Sequence, residues 1–177
     1  TTALSTNYAK TAGFSFKKSG DKTLKILIGG GISFLYQLTE FSKELSKHGV
    51  ECKVVLDRDY IGEFPSKELK GLFRTRKKFE RLISTFKPDV VLIDRMSKFG
   101  LEVIKSGIPL FLIVRGHYWL QNEWNAKTIY KNRLKQKLVE MRFKDDAQVF
   151  ERATAILPLC NYLVDIVREH YPKQNLH

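Results

Sequence analysis

The stretch KILIGGGISFLYQLTEFSKELSKHGVECKVV, from Lys25 to Val55, decides the fold prediction. The apolar run Leu24–Ile28 predicts a buried strand, and the three glycines behind it predict a tight turn. Apolar residues then recur at helical spacing until Gly49, a residue typical of helix ends. Val50–Leu56 predicts a second strand. The stretch therefore indicates a strand, a helix and a strand in succession.

The same alternation continues along the rest of the chain. Three further apolar runs predict strands, over Asp89–Ile93, Pro109–Val114 and Ala153–Leu159. Helical spacing predicts the intervening helices, over Leu69–Phe86 (one or two helices), Phe99–Lys105, Lys127–Arg152 and Tyr162–Tyr171. Because the strands are continuous apolar runs, both faces of the sheet should be covered. We expect an α/β fold, a Rossmann-like parallel sheet flanked by helices on both faces.

Composition indicates a globular domain with excess positive charge. The 177 residues include 31 Lys and Arg against 19 Asp and Glu, a formal net charge of +12. No apolar run approaches the roughly 20 residues that span a bilayer. Cys52 and Cys160 are too few for a disulfide framework, so we expect reduced core thiols in a cytoplasmic protein. We expect a flexible tail or linker over residues 1–23 and the domain over residues 24–172. Residues 173–177 should be the start of an interdomain linker in a larger protein.

Ligands of such sheets bind at the carboxyl ends of the strands, so the residues there are site candidates. After the first strand, Gly30, Gly31 and Ser33 should bring backbone N–H groups close to an anion or a sugar. Their spacing differs from the dinucleotide-binding fingerprint. Asp94 after the third strand and Asn161 after the fifth are candidate substrate-binding residues.

The loop predicted over Arg115–Asn125 has the densest group of functional side chains. Its candidates are Arg115 and His117 as catalytic residues, with Tyr118, Trp119 and Glu123 as substrate-binding residues. An imidazole can exchange a proton with a hydroxyl, and a guanidinium suits a phosphate or carboxylate. The aromatic faces suit stacking on sugar rings. The alternative is that the aromatic residues pack under the next helix and His117 only caps it.

The sequence Asp57-Arg58-Asp59 resembles the DxD motif of metal-dependent sugar transferases. Hard divalent ions need more oxygen ligands than this short motif offers. We therefore expect a solvated loop over Asp57–Pro65 and no metal site.

Two basic stretches hold much of the excess charge. The first precedes the third strand and contains Lys67, Lys70, Arg74, Arg76, Lys77, Lys78 and Arg81. The second lies on the predicted long helix and contains Lys127, Lys131, Arg133, Lys135, Lys137, Arg142 and Lys144. Basic amphipathic helices suit an anionic membrane surface, and a solvated lysine-rich face is the simpler alternative. Nucleic acid is the less favoured partner, because no helix-turn-helix, RRM, KH or zinc pattern is present.

Four segments occur in an order typical of one enzyme class. The first is Lys25–Val55, and the others are FKPDVVLID at Phe86–Asp94, GIPLFLIVRGHYW at Gly107–Trp119 and ERATAILPLCNYLVDIVREHY at Glu151–Tyr171. In this order they resemble the N-terminal, acceptor-side domain of a GT-B fold glycosyltransferase of the glycosyltransferase family 4 type. In that comparison the family histidine after the fourth strand aligns with Arg115, and His117 stands two residues later. The family serine after the fifth strand aligns with Cys160.

The resemblance implies transfer of a sugar from a nucleotide-sugar donor to a hydroxyl acceptor, lipid-linked or glycan. A second, C-terminal GT-B domain would hold most of the donor, with no cofactor in this domain and no metal. The isolated 177-residue chain should then be inactive. The protein would be cytoplasmic and could lie peripherally on the inner face of the membrane. The alternatives are a UDP-sugar epimerase-like GT-B protein and a non-enzymatic phosphate- or nucleic-acid-binding Rossmann-like module.

Overall fold

The computed structural model describes residues 23–62, 69–128 and 133–177. Its strands are β1 (Lys25–Gly30), β2 (Glu51–Leu56), β3 (Val90–Ile93), β4 (Leu110–Val114) and β5 (Ala155–Pro158). They form one sheet in the spatial order β2-β1-β3-β4-β5, and every neighbouring pair is parallel. This is one of the two common doubly wound orders. The predicted Rossmann-like α/β fold is confirmed.

Helices cover both faces of this sheet. They are α1 (Leu35–Lys47), α2 (Asp57–Tyr60), α3 (Leu69–Phe86), α4 (Lys98–Lys105), α5 (Tyr118–Thr128), α6 (Arg133–Arg152) and α7 (Asn161–His170). Successive strand residues point to opposite faces, so Leu27 joins the larger core and Ile28 the smaller one. Leu38 of α1 completes the smaller core. Side chains of α3, α4, α6 and α7 complete the larger core, among them Phe79 and Phe99.

Two predicted loops contain helices. Asp57–Tyr60 forms a helical turn within the predicted loop Asp57–Pro65, whose residues 63–65 lie outside the described ranges. Helix α5 occupies most of the predicted loop after β4, because its first residues, Tyr118 and Trp119, pack against the larger core. Burial of these rings favours a helix that turns them inward.

The long helix predicted over Lys127–Arg152 is described only in part, on either side of residues 129–132. Lys127 belongs to the end of α5, and α6 begins at Arg133. Residues 129–132 lie outside the described ranges, together with Lys131 of the second basic stretch. Lys67 of the first basic stretch lies outside them as well.

The structure describes the C-terminal end of the chain, whereas the first residues of the N-terminal end lie outside it. Residues 1–22 of the expected tail lie outside the described ranges. Near the other end, the Ile156 N–H donates to the Asn175 carbonyl at 2.9 Å, and the His177 N–H donates to the Ile156 carbonyl at 3.1 Å. The last residues thus lie along β5. The domain limits 24–172 and the linker at 173–177 stay predictions.

Gly30 belongs to β1, whereas the sequence predicted a strand that ends at Ile28 and a glycine turn behind it. Gly30 pairs with Leu56 of β2, so the sheet extends two residues further than expected. A Cβ atom at Gly30 would collide with Leu38 Cδ1 and lie 3.0 Å from Asp94 Cγ. The glycine is therefore required by close packing at the end of the strand.

We predict that Gly30→Ala lowers the free energy of unfolding by about 1–3 kcal/mol, the usual cost of overpacking. Urea unfolding followed by circular dichroism measures it. Gly116→Ala is the matched control, because a Cβ there has no neighbour within 4 Å. The control should change stability by less than about 0.5 kcal/mol. Equal stabilities of the two variants would contradict this account of Gly30.

Candidate functional site at the carboxyl ends of the strands

The strand order places the candidate site between β1 and β3. The chain leaves β1 toward one side of the sheet and returns to β3 on the other, so a crevice opens where these two strands end. Gly31 follows β1 and Asp94 follows β3, and the Gly31 N–H donates to Asp94 Oδ1 at 3.3 Å. Two residues that were predicted separately are thus in direct contact.

Asp94 is the central side chain of this crevice. Its side chain is buried, with 1% of the residue exposed. Oδ1 accepts from Gly31, whereas Oδ2 is buried without a hydrogen-bond partner among the described residues. Burial raises the pKa of Asp94, although Arg115, the Gly31 N–H and Arg95 act to lower it. Asp94 therefore has one buried acceptor oxygen that no described residue satisfies.

The glycines at the end of β1 leave room for the protein's own side chains. A Cβ at Gly29 would lie 2.7 Å from Asp57 Oδ1, and one at Gly31 would lie 3.2 Å from Arg95 Cζ. The Gly31 N–H, which the sequence assigned to an anion, is already bonded to a carboxylate. Ser33 lies exposed in the 3₁₀ turn that leads into α1, where a ligand can reach it.

Asp57 corrects the expectation of a solvated loop. The residue has no exposed surface, and Asp57 Oδ2 accepts a hydrogen bond from Ser97 Oγ at 3.0 Å. Arg95 Nε lies 3.9 Å from the same oxygen. Ser97 Oγ in turn accepts from the Gly100 N–H and caps α4. Asp57 thus holds the loop that carries Asp94.

The supporting contact between Asp57 and Ser97 was not predicted from the sequence. Ser97 gave one usable signal, since a serine directly before an apolar helix is a typical N-cap. Asp57 gave no such signal, because a charged residue after a strand is usually exposed. Asp59, the other carboxylate of the DxD-like motif, is exposed. The described residues contain no group of three or more His, Cys, Asp or Glu side chains arranged to hold a metal ion.

Arg115 follows β4 and reaches across the crevice. Its guanidinium carbon lies 4.6 Å from the ring centre of Phe34, a cation–π distance. Its Nε is buried without a hydrogen-bond partner among the described residues. Tyr118 lies next to it, and burial raises the pKa of that phenol. Its hydroxyl donates to the Asp94 carbonyl at 3.5 Å. Arg115 therefore brings a positive charge and a free donor to the site.

His117 caps helix α5. Its Nδ1 accepts the Leu120 N–H at 3.1 Å, and its carbonyl accepts the Gln121 N–H. A neutral imidazole that accepts at Nδ1 carries its proton on Nε2. In this arrangement His117 offers its Nε2–H as a hydrogen-bond donor. His117 thus forms a cap, but on α5 and not on the long helix of the capping alternative, and a binding role through Nε2 remains a prediction.

The other predicted residues lie away from Asp94. Trp119 and Glu123 line a separate cavity of about 720 Å³ between α5, α6 and α7, which His117 and Tyr118 also touch. Asn161 begins α7 beyond β5, the edge strand, and lines a cavity of about 350 Å³ with His177. Cys160 is exposed directly before α7, so the expectation of a core thiol is wrong there. Its position at a helix start explains the exposure.

No protein-family model matches the chain, and no curated protein matches it at a significant level. Within residues 23–62, 69–128 and 133–177, no helix is both long enough and apolar enough to cross a bilayer.

The buried carboxyl of Asp94 gives a pH prediction. Because its folded pKa is raised above the ordinary 3.8, the carboxyl stabilises the fold at lower pH, and this contribution is lost as the pH rises through the folded pKa. Asp94→Asn removes the ionisation while its amide oxygen can still accept from Gly31. Relative to the wild type, the variant should therefore gain stability as the pH rises toward 7.

Urea unfolding of both proteins at several pH values between 4 and 7 measures this difference. Asp165→Asn on α7 is the control, because Asp165 is exposed. Its difference from the wild type should stay within about 0.5 kcal/mol at every pH. A stability difference for Asp94→Asn that does not change with pH would refute the role of burial.

Proposed function

We propose that this chain is the acceptor-side domain of a GT-B glycosyltransferase that moves a sugar from a nucleotide-sugar to a hydroxyl acceptor. One observation supports this proposal most directly. Asp94 is buried at the switch point of the sheet with Arg115 nearby, and its Oδ2 has no hydrogen-bond partner among the described residues. The order of sequence motifs supports the same class.

The arrangement has the chemistry that sugar transfer requires. A carboxylate oxygen without a partner can accept the hydrogen bond of an attacking or neighbouring hydroxyl. Arg115 and Arg95 can stabilise the negative charge that develops on a leaving diphosphate. Asp94, Arg115 and the Gly31 backbone are held by the fold itself, so catalysis would depend on positioning and electrostatics.

His117 has a narrower role in this proposal than the sequence suggested. With Nδ1 bonded to the helix, its Nε2–H can donate to an oxygen of the sugar or of the acceptor. It would orient a substrate, and Asp94 is the better placed proton acceptor. Ser33 and Tyr118 flank the same crevice, and they are proposed substrate contacts. A second GT-B domain would supply the rest of the donor site.

We predict that Arg115→Lys lowers kcat/KM for sugar transfer by at least about 10-fold, since lysine lacks the planar bidentate guanidinium. The assay uses the natural full-length protein, radiolabelled nucleotide-sugars and a lipid and glycan extract as acceptor. The exposed Arg168 on α7 gives the control Arg168→Lys, which should retain activity within about 2-fold.

Two results would refute the proposal. One is the absence of transfer from every nucleotide-sugar tested, and the other is wild-type activity of Arg115→Lys. Binding of simple phosphate without any transfer would favour the non-enzymatic module instead.

We further propose that the basic helices dock the protein on an anionic membrane from the cytoplasmic side. Lys77 and Lys78 of α3 are exposed. A cavity of about 280 Å³ is lined by Arg76 of α3 together with Lys98 and Lys105 of α4. The basic helix α3 therefore adjoins α4, whose two lysines add to its positive charge, although Glu102 and Asp145 also line this cavity.

We predict that Lys77→Gln with Lys78→Gln weakens binding to phosphatidylserine vesicles by roughly 10- to 30-fold, at about 1 kcal/mol per lysine near the surface. Vesicle sedimentation at two salt concentrations measures it. The control is Lys43→Gln with Lys47→Gln on α1, two exposed lysines on the opposite face of the sheet. Equal loss in both pairs, or tighter binding to RNA than to vesicles, would contradict membrane docking.

A further inference from the structure

The cavity between α5, α6 and α7 is a second potential binding site beside the crevice. Its volume of about 720 Å³ lies within the range of about 300–1,000 Å³ that small-molecule sites have. Aromatic side chains from all three helices and from the residue after α7 line it: Trp119, Phe143, Phe150, His170, Tyr171. An aromatic cavity of this size can bind an organic group with an apolar body.

The aromatic wall is held in place by its own stacking. Phe150 and Tyr171 stack with ring centres 5.0 Å apart and planes 9° apart. Trp119 lies 5.1 Å from Phe150 and 4.2 Å from His170. Phe150 is also part of the larger core. The wall is therefore largely preformed, so a ligand need not order it on binding.

The charge of this cavity is opposite to that of the protein. Glu123 on α5, Asp146 on α6 and Glu169 on α7 line it, and its described lining includes no lysine or arginine. The chain as a whole has a formal net charge of +12. Arg142 lies beside this lining, with its Nε 3.8 Å from Asp146 Oδ2. Burial raises the pKa of Tyr171, and Glu151 and Asp146 raise it further, which agrees with a negative local field.

We infer that this cavity binds an organic ammonium ion, a protonated amine or quaternary ammonium on an apolar or sugar body. Aromatic rings attract such a cation through their faces, and the carboxylates add a Coulomb attraction. A phosphate or carboxylate ligand would be repelled by the three acidic residues. A neutral ligand would gain no Coulomb attraction from them. The inference is independent of sugar transfer, because it concerns binding alone.

The test measures ligand binding through the fluorescence of Trp119. The chain has two tryptophans, and Trp124 is exposed, so Trp124→Phe leaves Trp119 as the only indole reporter. This variant is titrated with choline and with its neutral isostere 3,3-dimethylbutan-1-ol. It is also titrated with glucosamine and with glucose. We expect an ammonium compound to bind at least about 10-fold more tightly than its neutral partner.

The carboxylates are tested in the same background. Glu123→Gln with Glu169→Gln should weaken binding of the ammonium ligand by about 5- to 10-fold, because both residues lie on the cavity wall. Both are exposed, so the fold should tolerate the changes, and thermal unfolding verifies this. Glu44→Gln with Glu140→Gln removes two exposed carboxylates outside the cavity lining and should leave the affinity within about 2-fold.

Each outcome decides the inference. Selective binding of choline indicates an alkylammonium ligand, selective binding of glucosamine indicates an amino sugar, and either supports the site. Equal affinity for the neutral partners, no response of Trp119 to any of the four compounds, or equal loss in both pairs of glutamate variants would overturn it. None of these results bears on Arg115→Lys, so failure here is distinguishable from failure of the proposed transfer.

Discussion

The hydrogen bond between the Gly31 N–H and Asp94 Oδ1 is the constraint on which the site depends. It joins the end of β1 to the end of β3, the two strands between which the chain changes direction. The contact is possible only because residue 30 has no side chain, since any Cβ would meet Leu38 and Asp94. A buried carboxyl is costly, and this bond with the nearby arginines offsets part of that cost. The remaining oxygen is buried without a hydrogen-bond partner among the described residues.

A second layer holds this bond in position. Asp57, at the end of β2, accepts from Ser97, and Ser97 caps α4. The loop 94–97 is therefore tied to β2 on one side and to β1 on the other. The ends of three neighbouring strands, in the order β2-β1-β3, are thus linked by a short series of hydrogen bonds between polar groups. Such support keeps a site rigid, which favours binding through preorganised groups.

The fold was predictable from the sequence, whereas the details of the site were predictable only in part. Buried parallel strands are uniform apolar runs, so Val90–Ile93 and Leu110–Val114 are evident locally. Asp94 and Arg115 could be selected because the strand ends are known places for ligands. The cap at His117 is local and was one of the two interpretations of that loop, whereas the burial of Asp57 depends on Ser97, 40 residues further along the chain. Local patterns carry no record of such contacts, and the helix that begins at Tyr118 was missed for the same reason.

The ring of His117 belongs to two parts of the molecule, the start of helix α5 and the wall of the aromatic cavity. The same ring that accepts the Leu120 N–H lies 6.1 Å from the ring of Trp119 and touches the aromatic cavity. A ligand that accepts from Nε2 favours the tautomer that starts the helix, and the helix start fixes the cavity wall. One imidazole therefore belongs both to the helix cap and to the cavity wall, so a ligand bound at its Nε2 would act on the two together.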